Sequence, residues 1–172
     1  MVLRAQVEPH IEIHKYSLPS VFGVAIASVV LQAFLPLYIG RAVLLELPLL
    51  VTLYFGLSRR NPSTGLFLGM VVGLLQDIVS GRPVGLYGIA KTLVGFTASS
   101  IGSRLDVEHP LSRFALAFAF FHFHHAAFAV TKRVLLAEPE SFFSAPLLAA
   151  SLVNAALAIG LFPLLDRLRK PS

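Results

Sequence analysis

The sequence predicts an all-α integral membrane protein, a bundle of about six transmembrane helices forming one domain over 1–172. Composition is the first reason: 56% of the residues are hydrophobic and 13% are charged, whereas soluble domains carry about 25% charged residues. So little polar surface cannot cover a soluble globule, and lipid is the fitting solvent. The second reason is spacing, because apolar runs of membrane-crossing length recur along the whole chain. The third is that turn residues, arginines and prolines collect between those runs.

The first run covers 18–35 and meets Pro36; it follows a polar, charged leader, lacks an Ala-x-Ala cleavage pattern, and is expected to remain as the first anchor. The second, 42–57, is short and holds Glu46 and Pro48. The third and fourth, 62–79 and 86–102, flank a Ser80-Gly81-Arg82-Pro83 turn. The fifth and sixth are 111–131 and 144–165. No linker, low-complexity tract or convincing internal repeat divides the chain, which weighs against an inverted-repeat transporter.

Loop charge gives an orientation. With the N-terminus in the cytoplasm, the inside segments hold nine basic residues: Arg4, Lys15, Arg59, Arg60, Arg104, Arg113, Arg167, Arg169 and Lys170. The outside loops hold four: Arg41, Arg82, Lys132 and Arg133. This asymmetry satisfies the positive-inside rule, and an even helix count puts both termini on the cytoplasmic side of an inner membrane. The net charge of +5 is thereby assigned to the loops rather than to nucleic-acid binding, since no basic helix face is present.

Two segments carry the helix-packing and buried-polar candidates. In the third helix, Gly65, Gly69 and Gly73 recur every four residues. Such a small-residue stripe lets a second helix backbone come close, either within the bundle or from a partner. The sixth helix has a comparable Ala/Ser/Gly stripe with Asn154 as its polar residue. The hairpin Gly73 to Phe96, GLLQDIVSGRPVGLYGIAKTLVGF, closes one helix on Asp77, turns through Gly81 and Gly85, and carries Lys91 inside the next helix. A charge at membrane depth needs a partner, and a carboxylate at a helix C-terminus is opposed by the helix dipole. A buried Asp77–Lys91 pair, with Gln76 nearby, is the expected compensation.

That hairpin resembles the signature of the bacterial rod shape-determining MreD family, as do the SRRNPSTGLFLG lead-in, the length and the number of helices. The resemblance implies a non-enzymatic scaffold subunit of the cell-elongation complex. It implies an MreC-like membrane partner, with an MreB-like filament protein and a peptidoglycan synthase pair in the same assembly. It also implies a fold similar to the substrate-binding (S) subunits of energy-coupling-factor transporters. No cofactor or catalytic residue is implied; Asp77, Gly81, Gly85 and Lys91 match as hairpin-shaping positions. The shared fold leaves one alternative, a small-molecule (vitamin) binding subunit, whose pocket would draw on Tyr38, Glu46 and Tyr87.

Two features stand apart from the resemblance. Phe120 to His125 reads FFHFHH, with three histidines in four residues. At about 100° per residue, His122 and His125 share a face while His124 points roughly 200° from His122, so one helix cannot offer all three to one metal ion. His122 and His125 are expected to line a polar seam between helices. Glu46 is expected to snorkel toward the interface with Arg41 in reach. The chain has no cysteine, and no nucleophile–base pair, phosphate loop or dinucleotide fingerprint supports catalysis.

Overall fold

The computed structural model describes residues 16–40, 44–102, 105, 107 and 109–169. These form six helices: α1 Leu18–Tyr38, α2 Leu47–Arg59, α3 Pro62–Ser80, α4 Leu86–Gly102, α5 Pro110–Leu136 and α6 Ala145–Asp166. Each start has a local cause. Ser17, Asn61 and Ser144 accept a hydrogen bond from a backbone N–H of the first turn, and prolines occupy early helical positions where their missing N–H costs nothing. Gly81, at φ 63°, ends α3 in the left-handed conformation that glycine adopts without strain.

Four of the helices, α1, α3, α5 and α6, are each long and apolar enough to cross a membrane. The expected six helices are present, and the second is short as its sequence suggested. α4 has 17 residues and α2 has 13, so α2 is about 20 Å long against a hydrocarbon core of about 30 Å. The expected start at residue 42 gives way to Leu47, with Pro48 in the first turn. α1 also differs from expectation: it runs past Pro36 to Tyr38, since a proline in the last turn removes only one helical hydrogen bond.

α2 is the centre of the bundle. It touches all five other helices, and from Pro48 to Ser58 every residue is buried. The others surround it in the order α1, α3, α4, α5, α6, and α1 does not contact α6. α3 and α4 make the most extensive pair. At that seam the absent side chains of Gly65, Gly69 and Gly73 make room for the α4 backbone at Gly95, Lys91 and Tyr87, so the stripe is spent inside the bundle. At one end of the molecule α2 and α6 finish with Tyr16, Tyr54, Asp166, Arg113 and Arg169 joined by polar contacts. At the other lie the α3–α4 turn and the start of α2.

Candidate functional site: a buried polar cluster beneath a cavity

Residues 44–46 lie partly buried in the bundle just ahead of α2. Non-helical backbone within a membrane protein must satisfy its N–H and C=O groups from protein, and here two side-chain amides do so. Gln32 of α1 donates to the Leu45 carbonyl at 2.7 Å and accepts from the Leu47 N–H at 3.0 Å. Asn154 of α6, fully buried, donates to the Leu44 carbonyl at 2.7 Å and accepts from the Glu46 N–H at 2.8 Å. This double clamp sets Glu46 at the head of α2, part-way down the bundle.

Glu46 then faces inward. Its Oε2 lies 3.5 Å from Lys91 Nζ and accepts from Gln76 Nε2 at 3.3 Å. Lys91 is fully buried; its ammonium donates to His124 Nε2 at 3.1 Å and stands 4.6 Å from the centre of the Tyr87 ring. An ammonium offers only donors, so His124 accepts on Nε2 and carries its proton on Nδ1. His124 also stacks on Tyr87, their rings 2° from parallel. The snorkelling expected of Glu46 is therefore corrected: the amide clamp fixes its backbone inside, where Lys91 neutralises it. Arg41, its expected partner, lies outside the described residues, as do Arg4, Lys15, Arg104 and Lys170 of the loop comparison.

Asp77 is corrected as well. It is completely buried, and its direct partners are backbone N–H groups rather than Lys91 or Arg82. Its carboxylate accepts from the N–H groups of Gly85 at 2.8 Å, Tyr87 at 2.9 Å and Gly88 at 3.0 Å. Three orphan donors at the head of α4 surround one anion, and the α4 dipole adds to their field. Gly85, at φ 111°, gives the turn the backbone path that aims its N–H at the carboxylate. Asp77 thus lies at the unfavourable end of α3 and the favourable end of α4, and the second prevails because it comes with three hydrogen bonds.

Of the histidines, the structure turns His124 inward; His122 and His125 are only partly buried. His125 bonds to the Ser141 carbonyl at 2.9 Å, and His122 packs among Phe118, Phe121 and Phe143. The expected His122/His125 seam is replaced by the seam at His124, because α4 packs on the opposite face of α5. Among the described residues no group of three His, Asp or Glu side chains converges as a metal site would require.

Above the cluster a cavity of about 400 Å³ opens between α1, α3 and the α3–α4 turn. Its polar lining comes from Gln32, Glu46, Gln76, Ser80, Arg82 and Tyr87, and its apolar wall from Val29, Ala33, Pro36 and Val79. Of the pocket residues named from sequence, Glu46 and Tyr87 line it; Tyr38 is exposed at the end of α1 and does not.

The model of the rod shape-determining protein MreD family matches residues 13–170. The chain belongs to the MreD family. Its role is accordingly in rod-shape determination, as a helical membrane protein of a shape-determining rather than an enzyme family. No curated protein and no solved structure matches the chain. The match covers every element of the buried cluster, from Gln32 to Asn154. Sequence reasoning reached Asp77, Lys91 and Glu46 but missed Gln32, whose signal was a lone amide in an otherwise apolar helix, four residues before a proline.

Proposed function

We propose that this protein is a non-enzymatic scaffold subunit of the bacterial cell-elongation complex. It sits in the inner membrane with both termini cytoplasmic and holds the membrane helix of an MreC-like partner. Through that contact it supports peptidoglycan synthesis by a synthase pair, in step with an MreB-like filament protein. The observation that carries this reading is family membership across residues 13–170. The fold of the S-subunit type belongs to the same reading.

The bundle surface adds a location. Only 22% of the α1 core window is buried, and Phe22, Ile26, Val30 and Phe34 stand exposed along it. Because α1 and α6 do not touch, the ring of helices is open at this flank. Gly23, on α1, has open space around it. A single partner helix resting on α1 buries apolar side chains and gains close backbone approach at that glycine.

The test is co-purification of the tagged chain with an MreC-like protein from co-expressing membranes, combined with cysteine cross-linking. Since the chain has no cysteine of its own, a single Ile26→Cys reports one position. Cross-linking from Ile26→Cys and not from Leu93→Cys, on the exposed face of α4, is expected. Reproducible absence of the partner from native extracts sinks the reading.

A further inference from the structure

The cavity above Glu46 is built to be filled by something that donates hydrogen bonds. Gln76 lines it and is 5% exposed. Its Nε2 is committed to Glu46, and its Oε1 is buried with no hydrogen-bond partner. A buried amide oxygen left unmade costs about 1–3 kcal/mol, so this acceptor in the cavity lining marks a place where a donor belongs. Exchanging the two ends of the amide gives no relief, because it would turn the oxygen toward the Glu46 carboxylate. Beside it Glu46, itself a pure acceptor when ionised, also lines the floor. The acceptors lie at the bottom; the cation is at the mouth, where exposed Arg82 has its guanidinium 5.4 Å above the Tyr87 ring.

Charge balance narrows the occupant further. The charged residues that line the space are Glu46 and Arg82, one of each sign. Asp77 is consumed by three backbone N–H groups, so Glu46 is the carboxylate that faces a guest. An occupant with a net charge would upset this balance; one with a donor-bearing cation inward and an anion outward would match it. A volume of about 400 Å³ falls within the size of ordinary ligand pockets, roughly 300–1,000 Å³.

We propose that this cavity binds a small zwitterion, its primary ammonium donating to Glu46 and Gln76 and its phosphate or carboxylate held by Arg82. The chemistry is that of a phosphoethanolamine group, either free or as the headgroup of a membrane phospholipid. The site is separate from the α1 flank, so it stands or falls independently of the partner reading.

The test is native mass spectrometry of the full chain in detergent with three probes, all phosphodiesters without net charge: glycerophosphoethanolamine, dihexanoyl phosphatidylethanolamine and dihexanoyl phosphatidylcholine. Choline keeps the charge but has no N–H. The ethanolamine lipid is expected to bind at least about tenfold more tightly than the choline lipid, equivalent to losing about 1.4 kcal/mol. Arg82→Gln and Gln76→Met are each expected to weaken ethanolamine binding by a similar factor. Arg82 is exposed on a turn, so its variant keeps the fold even if Gln76→Met does not. Tighter binding of the lipid than of glycerophosphoethanolamine identifies a headgroup; equal or weaker binding identifies a free zwitterion. Equal occupancy by the choline lipid, indifference to Arg82→Gln, or no binding by any ethanolamine probe overturns the proposal.

Discussion

The two ends of the bundle hold their charges in opposite ways. At the Asp166 end, short contacts bind chain termini together. Arg113 and Arg169 each reach Asp166 at 2.7 Å, Tyr54 donates to the same carboxylate at 2.7 Å, and Tyr16 follows at 2.9 Å. All these partners are side chains, and Asp166 keeps 23% of its side chain exposed. At the Asp77 end the charges are deeper and the partners are largely backbone amides, while the buried ion pair, Lys91 with Glu46, is long at 3.5 Å. Tight pairing near the surface makes a fastener. Loose pairing at depth, under a cavity with an unmet acceptor, leaves capacity for another molecule. A site is recognised here by what it leaves unpaired.

That contrast can be broken by mutation, and the largest effect belongs to Asp77. Asp77→Ala strands three N–H donors in the interior and is expected to destabilise the detergent-solubilised protein by about 3–5 kcal/mol, read by chemical denaturation. An exchange of Asp77 with Lys91 should give no rescue, because a lysine at 77 cannot accept from the three N–H groups. A rescue would restore the direct pair that the hairpin sequence suggested. Next is Lys91→Met, expected to cost about 3 kcal/mol by stranding Glu46. A double-mutant cycle with Glu46→Gln should then return a coupling of about 0.5–3 kcal/mol, and a value of zero would dissolve the cluster into independent residues.

Gly69→Ala is smaller. A methyl there meets the α4 backbone at Lys91, and overpacking of this kind costs about 1–3 kcal/mol. At the fastener end, Arg113→Gln should cost about 1–2 kcal/mol, a charge-assisted hydrogen bond beside partial solvent. If that loss exceeded the loss from Lys91→Met, the division between a surface fastener and a deep site would be reversed. His122→Phe, among aromatic neighbours, should change stability by less than about 0.5 kcal/mol.

The helices were legible in the sequence because hydrophobic length and turn residues act locally. α3 and α4 were anticipated nearly to the residue, since Asn61-Pro62, the Ser80-Gly81 stop and Leu86 each mark a terminus by local chemistry. The polar partners were not legible in the same way. Glu46 and Lys91 are 45 residues apart, and Glu46 and Asn154 are 108 apart, and no periodicity reports such separations. Asp77 was recognised as a charge in need of compensation, but side chains invite side-chain partners in the eye of a sequence reader, and its true partners are amides that every residue possesses. His124 was set aside by a correct angular argument applied to the wrong question: which histidines share a face does not say which face the next helix covers.

The shortness of α2 also bears on how the bundle is supported in the membrane. A segment of 13 residues is too short to span the hydrocarbon core on its own. α4, with a lysine in its second turn, meets the same obstacle. Both pack against α3, a helix long and apolar enough to cross a membrane, and its glycines admit the α4 backbone. The two short helices that carry Glu46 and Lys91 thus lean on a long one for the support that lipid alone would not give them.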